Sequence, residues 1–323
     1  MQKKEYGGYL PLELRHGVPY YDFGNTMMKK CNSGLTAIYC AIKALSPKRV
    51  VLPHFICDTV PELIRSMGVE CSRYYISPSL EPLDPNVGEE DCILLVNYFG
   101  LCRDIVDRFA DRFSKVIVDN TQAFFSAPIF RDGVYNVYSC RKFIGTSDGA
   151  YLIGKNVPEI PLESDSSSER SLFLLKQYES GTNAAYSDSI ENYNIIKRQR
   201  REMSPLTERL LCSVDYSEVM YRRLSNYDML DSLLGKANKL SLCCSERNVP
   251  YSYPFYSPKD IRAALIREKI YVPKLWAEML TDEYRGRPEY ELSQNVMHLP
   301  IDQRYTTADM KYIANVVTAL LEE

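Results

Sequence analysis

The sequence predicts an α/β fold: a large domain with a mainly parallel sheet flanked by helices, followed by a small C-terminal α+β domain. Three observations carry this. Short, continuous apolar runs at 49–52, 92–96 and 115–118 alternate with segments of helical periodicity, the pattern of strands buried on both faces of a parallel sheet. Amide, carboxylate and hydroxyl residues stand at turns or just past such runs, where ligands bind in these sheets. Beyond Gly154 the alternation stops and helical patterning takes over.

Residues 1–24, rich in Tyr, Pro and Gly, are read as an irregular N-terminal arm. Residues 25–235 form the large domain with its connecting helices, and 236–323 the small domain. Residues 34–45 have apolar side chains at helical spacing behind the turn Asn32-Ser33-Gly34, so a helix begins there and its first turn is an anion site. The run 49–52, stopped by Pro53, predicts a buried strand, and 59–67 a helix. A strand over 92–96 ends at Asn97-Tyr98-Phe99-Gly100; a helix over 105–113 and a strand over 115–118 follow. A further apolar run, 134–138, ends at Ser139. The polar loop 163–169 supplies N-capping groups for a helix over 170–178. Helices are then predicted over 189–211 and 217–234. The first carries the basic cluster Lys197-Arg198-Gln199-Arg200-Arg201, read as a solvated face, with a phosphate or carboxylate clamp as the alternative. A strand over 251–255 and helices over 258–268 and 307–321 build the small domain.

Composition narrows the function. The 323 residues are 45% apolar and 25% charged, an ordinary globular balance. A net charge of -3 argues against a protein that coats nucleic acid. No apolar stretch is long enough for a membrane span, and the first residues lack the apolar segment of a secretory signal. Ten scattered cysteines with no Cys-x-x-Cys, and only three histidines, point to reduced thiols in a cytoplasmic protein without a metal site. No dinucleotide-binding glycine motif, phosphate-binding P-loop or nucleophile elbow occurs.

The stretch from Val116 to Leu152 carries the chemistry. The run Val116-Ile117-Val118 ends in Asp119, and Lys142 follows the second apolar run and Ser139. These groups suit pyridoxal 5'-phosphate (PLP). A buried carboxylate can pair with the protonated pyridine nitrogen, a lysine can hold the cofactor covalently as a Schiff base, and a serine hydroxyl can help bind the phosphate. Taken alone, Asp119 also reads as a turn cap and Lys142 as a surface lysine.

Further matches follow in order: Ser33-Gly34-Leu35-Thr36, Pro53, Asp119 with Gln122, Ser139 to Lys142 with Asp148-Gly149-Ala150, and Leu299-Pro300-Ile301-Asp302-Gln303-Arg304-Tyr305. With them the chain resembles the DegT/DnrJ/EryC1/StrS family, the sugar-aminotransferase-like branch of the fold-type-I PLP-dependent enzymes, from about Asp22 onward. The resemblance implies the fold-type-I transferase fold and PLP as cofactor, with Lys142 and Asp119 as catalytic residues. Gly34 and Leu35 would offer backbone amides and Ser139 a hydroxyl to the phosphate, and Gln122 would reach the cofactor's 3-oxygen. Cys57 stands near the place of the usual stacking aromatic, so Phe55 or His54 would cover the ring. His54, Asn97 and Arg141 would contact substrate near the mouth. The asparagine that a neighbouring subunit usually supplies is not evident around 198–203.

The function so implied is an aminotransferase moving an amino group from an amino acid such as glutamate to a keto acceptor, a keto-sugar or nucleotide-linked sugar among the candidates. It would act as a homodimer with active sites at the subunit interface. The rival reading, prompted by Cys57, Ala150 and the missing asparagine, is a binding or regulatory protein on the same fold with little catalysis.

Overall fold

The computed structural model describes residues 6–240, 242, 244 and 248–322; Cys243 and the first five residues of the arm lie outside them. β1 (Met28–Cys31) turns through Asn32 and Ser33 into α1 (Gly34–Leu45). Ser33 is the N-cap: its backbone is extended and its hydroxyl accepts the N–H of Thr36 at 3.2 Å. Next come β2 (Arg49–Pro53), α2 (Thr59–Ser66), β3 (Glu70–Ile76) and the short β4 (Pro82–Leu83). β5 (Cys92–Val96), α3 (Arg103–Ala110), β6 (Val116–Asn120), β7 (Val134–Ser139) and β8 (Ala150–Gly154) complete the sheet.

The eight strands lie in the order β1-β8-β7-β6-β5-β2-β3-β4. From β7 through β6, β5 and β2 to β3 every pairing is parallel. β8 runs antiparallel to β7 and to β1, and β4 antiparallel to β3. Every residue of β5, β6 and β7 is buried, as a parallel sheet covered on both faces requires. Polar Asn136, in the middle of β7, is tolerated because its amide donates to the carbonyls of Ile129 and Ile153 and its oxygen accepts the N–H of Ile129. The turn into β7 needs Gly133: its φ is 75°, and a Cβ there would stand 2.1 Å from the carbonyl oxygen of Ser114.

The sequence pattern assigns no strand to 28–31, 70–76 or 150–154. β1 carries two lysines, which are held by Glu202 at 2.9 Å and Glu208 at 2.7 Å. Those partners lie far along the chain, so no local pattern announces the strand. β8 is antiparallel and short, and its place depends on pairing with both β1 and β7.

The second half is β9 (Glu163–Ser164), α4 (Leu172–Ile196), β10 (Arg201–Glu202), α5 (Pro205–Leu211), α6 (Tyr216–Leu234), β11 (Tyr253–Tyr256), α7 (Arg262–Arg267), α8 (Pro288–Asn295), β12 (Val296–Leu299) and α9 (Thr307–Glu322). β9 pairs with β10, and β11 with β12. The predicted helices over 170–178 and 189–211 are divided differently. α4 joins most of the first to the start of the second, with a break at Gly181 (φ 80°). It stops at Ile196, and α5 starts afresh. Pro205 cannot sit inside a helix, and Ser204 caps the new one by accepting the N–H of Thr207. Buried Asp148 accepts the N–H and hydroxyl of Ser204, both at 2.7 Å, and the hydroxyl of Thr207, so the boundary is fixed by a tertiary contact.

α6 packs on α9 and β11, and Asn226 on α6 donates to the carbonyls of Ile301 and Tyr305. One apolar core runs from the sheet into this C-terminal layer, through Tyr227, Leu230, Phe255, Met297 and Met310. A second core gathers Phe124, Phe125, Tyr138 and Tyr151. The end of the arm docks here: Tyr21 is buried, and its hydroxyl donates to the carbonyls of Phe124 (2.6 Å) and Ser126 (3.0 Å). Among the described residues no helix is long and apolar enough to cross a membrane.

His298 on β12 links this core to pH. It is buried, its Nδ1 lies 2.9 Å from the Ser252 hydroxyl, and the Phe99 ring is 4.7 Å away. Burial first, and Arg262 second, push its pKa down to about 3. The imidazole is therefore neutral in the folded state through the range in which the unfolded chain binds a proton. The stabilisation is complete above about pH 6.5 and declines as pH falls toward about 3. We expect urea unfolding to lose about 1 kcal/mol of stability through this group between about pH 6 and pH 5, and His298→Gln to flatten the profile by that amount. Equal slopes for the two proteins would show that His298 does not carry the effect.

Candidate active site

A cavity of about 190 Å³ opens at the carboxyl ends of β5, β6 and β7, against the first turn of α1. The register brings Val96 beside Asp119, and Asp119 beside Val137, so these strand ends are level.

Asp119 is 5% exposed and lines the cavity. Its Oδ1 accepts the N–H of Thr121 at 2.9 Å, which turns the chain out of β6 and fixes the carboxylate. The Thr121 hydroxyl accepts from Lys142 Nζ at 3.2 Å. Lys142 ends the 3-10 turn Cys140–Lys142 that follows β7. Lys142 is an exposed side chain whose amine opens on the cavity, with protein packed around it. Burial lowers its pKa, Asp119 opposing. Carboxylate, hydroxyl and amine thus form one connected set.

Gly34 and Leu35 supply the opposite wall. They open α1, where backbone N–H groups have no partner within the helix and the macrodipole favours an anion. Gly34 is required by close approach: a Cβ would stand 2.9 Å from the Thr121 methyl. Ser139, at the end of β7, lines the same wall region.

Gln122 lines the cavity while its Oε1 accepts the N–H of Phe99 at 2.9 Å, leaving its NH₂ without a protein partner among the described residues. That bond holds a left-handed Phe99 (φ 59°) in the turn after β5, an uncommon conformation for a non-glycine residue. Cys57 lines the cavity too, its Sγ 3.1 Å from the Thr59 hydroxyl. Arg141 also faces it; burial lowers its pKa, and its Nε has no partner among the described residues.

Three anticipated residues do not line the cavity. Phe55 is buried behind it, packed on Trp276 at 4.3 Å, and its carbonyl accepts the Tyr98 hydroxyl. His54 stacks on Tyr75 at 4.2 Å, and its Nδ1 lies 2.8 Å from the Tyr284 hydroxyl. Burial, with Arg73 and Arg287, pushes its pKa down to about 4. Asn97 is fully buried: its amide donates to Asn120 and its oxygen accepts the N–H of Cys102, so it braces the turn after β5.

Thr121, Tyr193 and Trp276, which the sequence reading did not place in the site, also line the cavity, as does Lys197, from the basic cluster whose alternative reading was a phosphate or carboxylate clamp. Lys197, read as part of a solvated basic face, is the C-cap of α4 and comes to the cavity because that helix ends there. Its amine also stands over the Tyr193 ring. Trp276 has a left-handed backbone (φ 50°) in a loop with no periodicity to read. Thr121 was legible in principle, two residues after Asp119 and three before the aromatic pair Phe124-Phe125. Among the described residues no cluster of His, Cys, Asp and Glu could hold a metal ion.

No family model and no curated protein matches the chain in sequence. Solved structures do match its fold. A DegT/DnrJ/EryC1/StrS aminotransferase from Brucella abortus is similar at a TM-score of 0.57 and 16% identity, over 92% of this chain and 86% of that one. A sugar aminotransferase from Micromonospora echinospora is similar at 0.58 and 15% identity, over 90% and 87%. NtdA from Bacillus subtilis, solved with the cofactor PMP bound, is similar at 0.57 and 14% identity, over 92% and 73%. The chain therefore has the fold of the DegT/DnrJ/EryC1/StrS aminotransferases.

Proposed function

We propose that the protein is a PLP-dependent aminotransferase that moves an amino group from an amino acid such as glutamate to a keto acceptor, a keto-sugar or nucleotide-linked sugar being the class that the fold neighbours favour. The observation that carries this is the meeting of Asp119, Lys142 and the first turn of α1 around one cavity. The residues fit the cofactor on their own chemistry: a fixed buried carboxylate for a ring nitrogen, an amine whose pKa the surrounding protein lowers, and unpaired helix N–H groups for a phosphate. NtdA was solved with PMP, the amine form of the same cofactor, and this supports the reading.

When bound, PLP supplies an electron sink for the carbon that bears the amino group. Asp119 would hold a proton on its ring nitrogen. Lys142 would hold PLP through Nζ, with water leaving as that bond forms; once the amine of the donor displaces it, the freed Nζ would carry the proton between the substrate carbon and the cofactor carbon, which its lowered pKa favours. The Thr121 hydroxyl positions that amine. Gly34 and Leu35 offer N–H groups, Ser139 a hydroxyl and Lys197 a positive charge to the phosphate. Gln122 offers its NH₂ to the 3-oxygen. Tyr193 and Trp276 supply the aromatic surface that Cys57 cannot.

Borohydride should fix PLP to the peptide containing Lys142 in the purified protein, and Lys142→Ala should abolish that adduct. An unchanged adduct in Lys142→Ala would remove the lysine from its role.

Asp119→Asn should slow the half-reaction with the amino donor by about 10²-fold or more, because a neutral amide no longer stabilises the protonated ring nitrogen. Cofactor content, read by absorbance, should fall much less. Near-normal single-turnover rates would exclude Asp119 from the chemistry, and a protein that binds PLP but never converts it with any amino acid would favour the regulatory reading.

The working unit proposed here is a homodimer. α4 exposes Leu175 (59%), Tyr178 (94%), Tyr186 (66%) and Ile190, and the arm exposes Tyr9, Leu10 and Leu12. Such a face is uncommon on a monomer. Sedimentation at micromolar concentration should give twice the 37.2 kDa chain mass, and Tyr178→Glu combined with Tyr186→Glu should shift the protein toward monomer. A fully active monomer would defeat this assignment.

A further inference from the structure

Trp276 is the single tryptophan of the chain, and its place at the crevice is set from two directions. It stands before α8 with a left-handed backbone (φ 50°), which a bulky side chain adopts only where its surroundings impose it. From the turns after β2 and β5, Phe55 packs on its ring at 4.3 Å and Tyr98 meets it edge-on at 5.7 Å. Phe99, itself left-handed, lies 6.2 Å away. From the C-terminal layer, the Ser293 hydroxyl on α8 donates to its carbonyl at 2.8 Å.

The segment that follows is fastened to the sheet at three points. The Tyr284 hydroxyl lies 2.8 Å from Nδ1 of His54, in the turn after β2. The Arg287 guanidinium is 3.9 Å from the ring centre of Tyr75 on β3, and His54 stacks on the same ring at 4.2 Å. Glu289, fully buried in the first turn of α8, accepts the N–H of Ile76 at 2.7 Å. Of these residues none lines the crevice itself, so they act on it through what they hold. Trp276 lies in a loop, where no regular hydrogen-bond ladder could fix it in their stead.

We propose that Trp276 covers the ring of the bound cofactor, and that His54, Tyr75, Tyr284 and Arg287 are positioning residues that hold the indole there, so that the C-terminal layer builds one face of the seat. The proposal rests on the reading of the crevice as a PLP site. A flat conjugated ring gains most from a flat partner, and Ile56, Cys57 and Val96 in the lining are not flat. The other aromatic group in the lining, Tyr193, already has the Lys197 amine over its ring at 5.4 Å. Trp276 is half-buried, backed by Phe55 and open to the crevice. His54 and Phe55, which the sequence offers as ring covers, back the indole instead.

The test uses the whole chain, without and with PLP. With one tryptophan present, emission from the cofactor-free protein reports how Trp276 is seated before any ligand is added. Tyr284→Phe, which removes only the hydroxyl, and Arg287→Met, which removes the charge at similar length, should each shift that emission to the red and increase its quenching by acrylamide. Equilibrium dialysis should show PLP held about 10-fold more weakly by Trp276→Leu, which keeps apolar bulk against Phe55 but has no flat face, and Trp276→Phe should recover most of the loss. Tyr284→Phe should weaken PLP in the native background and add nothing in Trp276→Leu, because its effect passes through the indole. Borohydride trapping at saturating PLP separates the two readings. No adduct at Lys142 would remove the cofactor reading and this proposal with it. A normal adduct with PLP affinity unchanged in Trp276→Leu, additive losses in the double variant, or emission unmoved in Tyr284→Phe would overturn this proposal alone. If Arg287→Met does not fold, Tyr284→Phe decides.

Discussion

Because β5, β6 and β7 are buried along their whole length, these three strands can hold charged side chains only where they end. Asp119 meets this constraint by standing one residue before the end of β6 and accepting the N–H of Thr121. Parallel pairing makes the neighbouring strands end at the same level, so Ser139 and the turn into Lys142 arrive beside it. The first turn of α1 closes against Thr121 because Gly34 has no side chain to keep it away. One rule about burial thus collects a carboxylate, an amine, hydroxyls and a helix N-terminus in a single crevice.

The electrostatics of that crevice are lopsided. Asp119 is the carboxylate in its lining, against Arg141, Lys142 and Lys197, and Arg223 adds another cation through a chamber that Arg141 and Lys142 also line. A protein with net charge -3 has gathered positive charge at one place, which is sensible only for anionic ligands. The lowered pKa of Lys142 follows from the same crowding and burial, with the Arg141 charge adding to it and Asp119 opposing.

The frame around the crevice is set by long-range polar contacts. Asp148 caps α5 through Ser204 and Thr207, and Glu202 and Glu208 hold the lysines of β1. Asn192 on α4 donates to the carbonyl of Ser147 at 2.8 Å, and the same asparagine accepts from Arg170, which pairs with buried Asp165. Asp165 in turn accepts from Asn32, next to the N-cap of α1. These contacts tie the end of α4, and with it Tyr193 and Lys197, to the first turn of α1.

Local sequence determined the elements whose signals are local. α1 was legible from the Ser33-Gly34 turn and its apolar spacing, β5 and β6 from unbroken apolar runs up to their ends, and β7 from an apolar run interrupted by Asn136 alone, because full burial leaves few polar positions to confuse the pattern. The proximity of Asp119, Gln122, Ser139 and Lys142 was likewise readable, since each lies at or just past a strand end. Only the tertiary structure decided the rest. β1 and β8 are strands because they pair with each other and with β7, and the lysines of β1 find carboxylates from a distant segment. The split between α4 and α5 depends on Asp148, which lies well before either helix in the chain. Lys197, Trp276 and Arg223 reach the crevice from three separate segments, and nothing in the pattern around each residue states where its helix or loop will pack. Apolar periodicity records which side of an element is buried; it does not record which partner covers it.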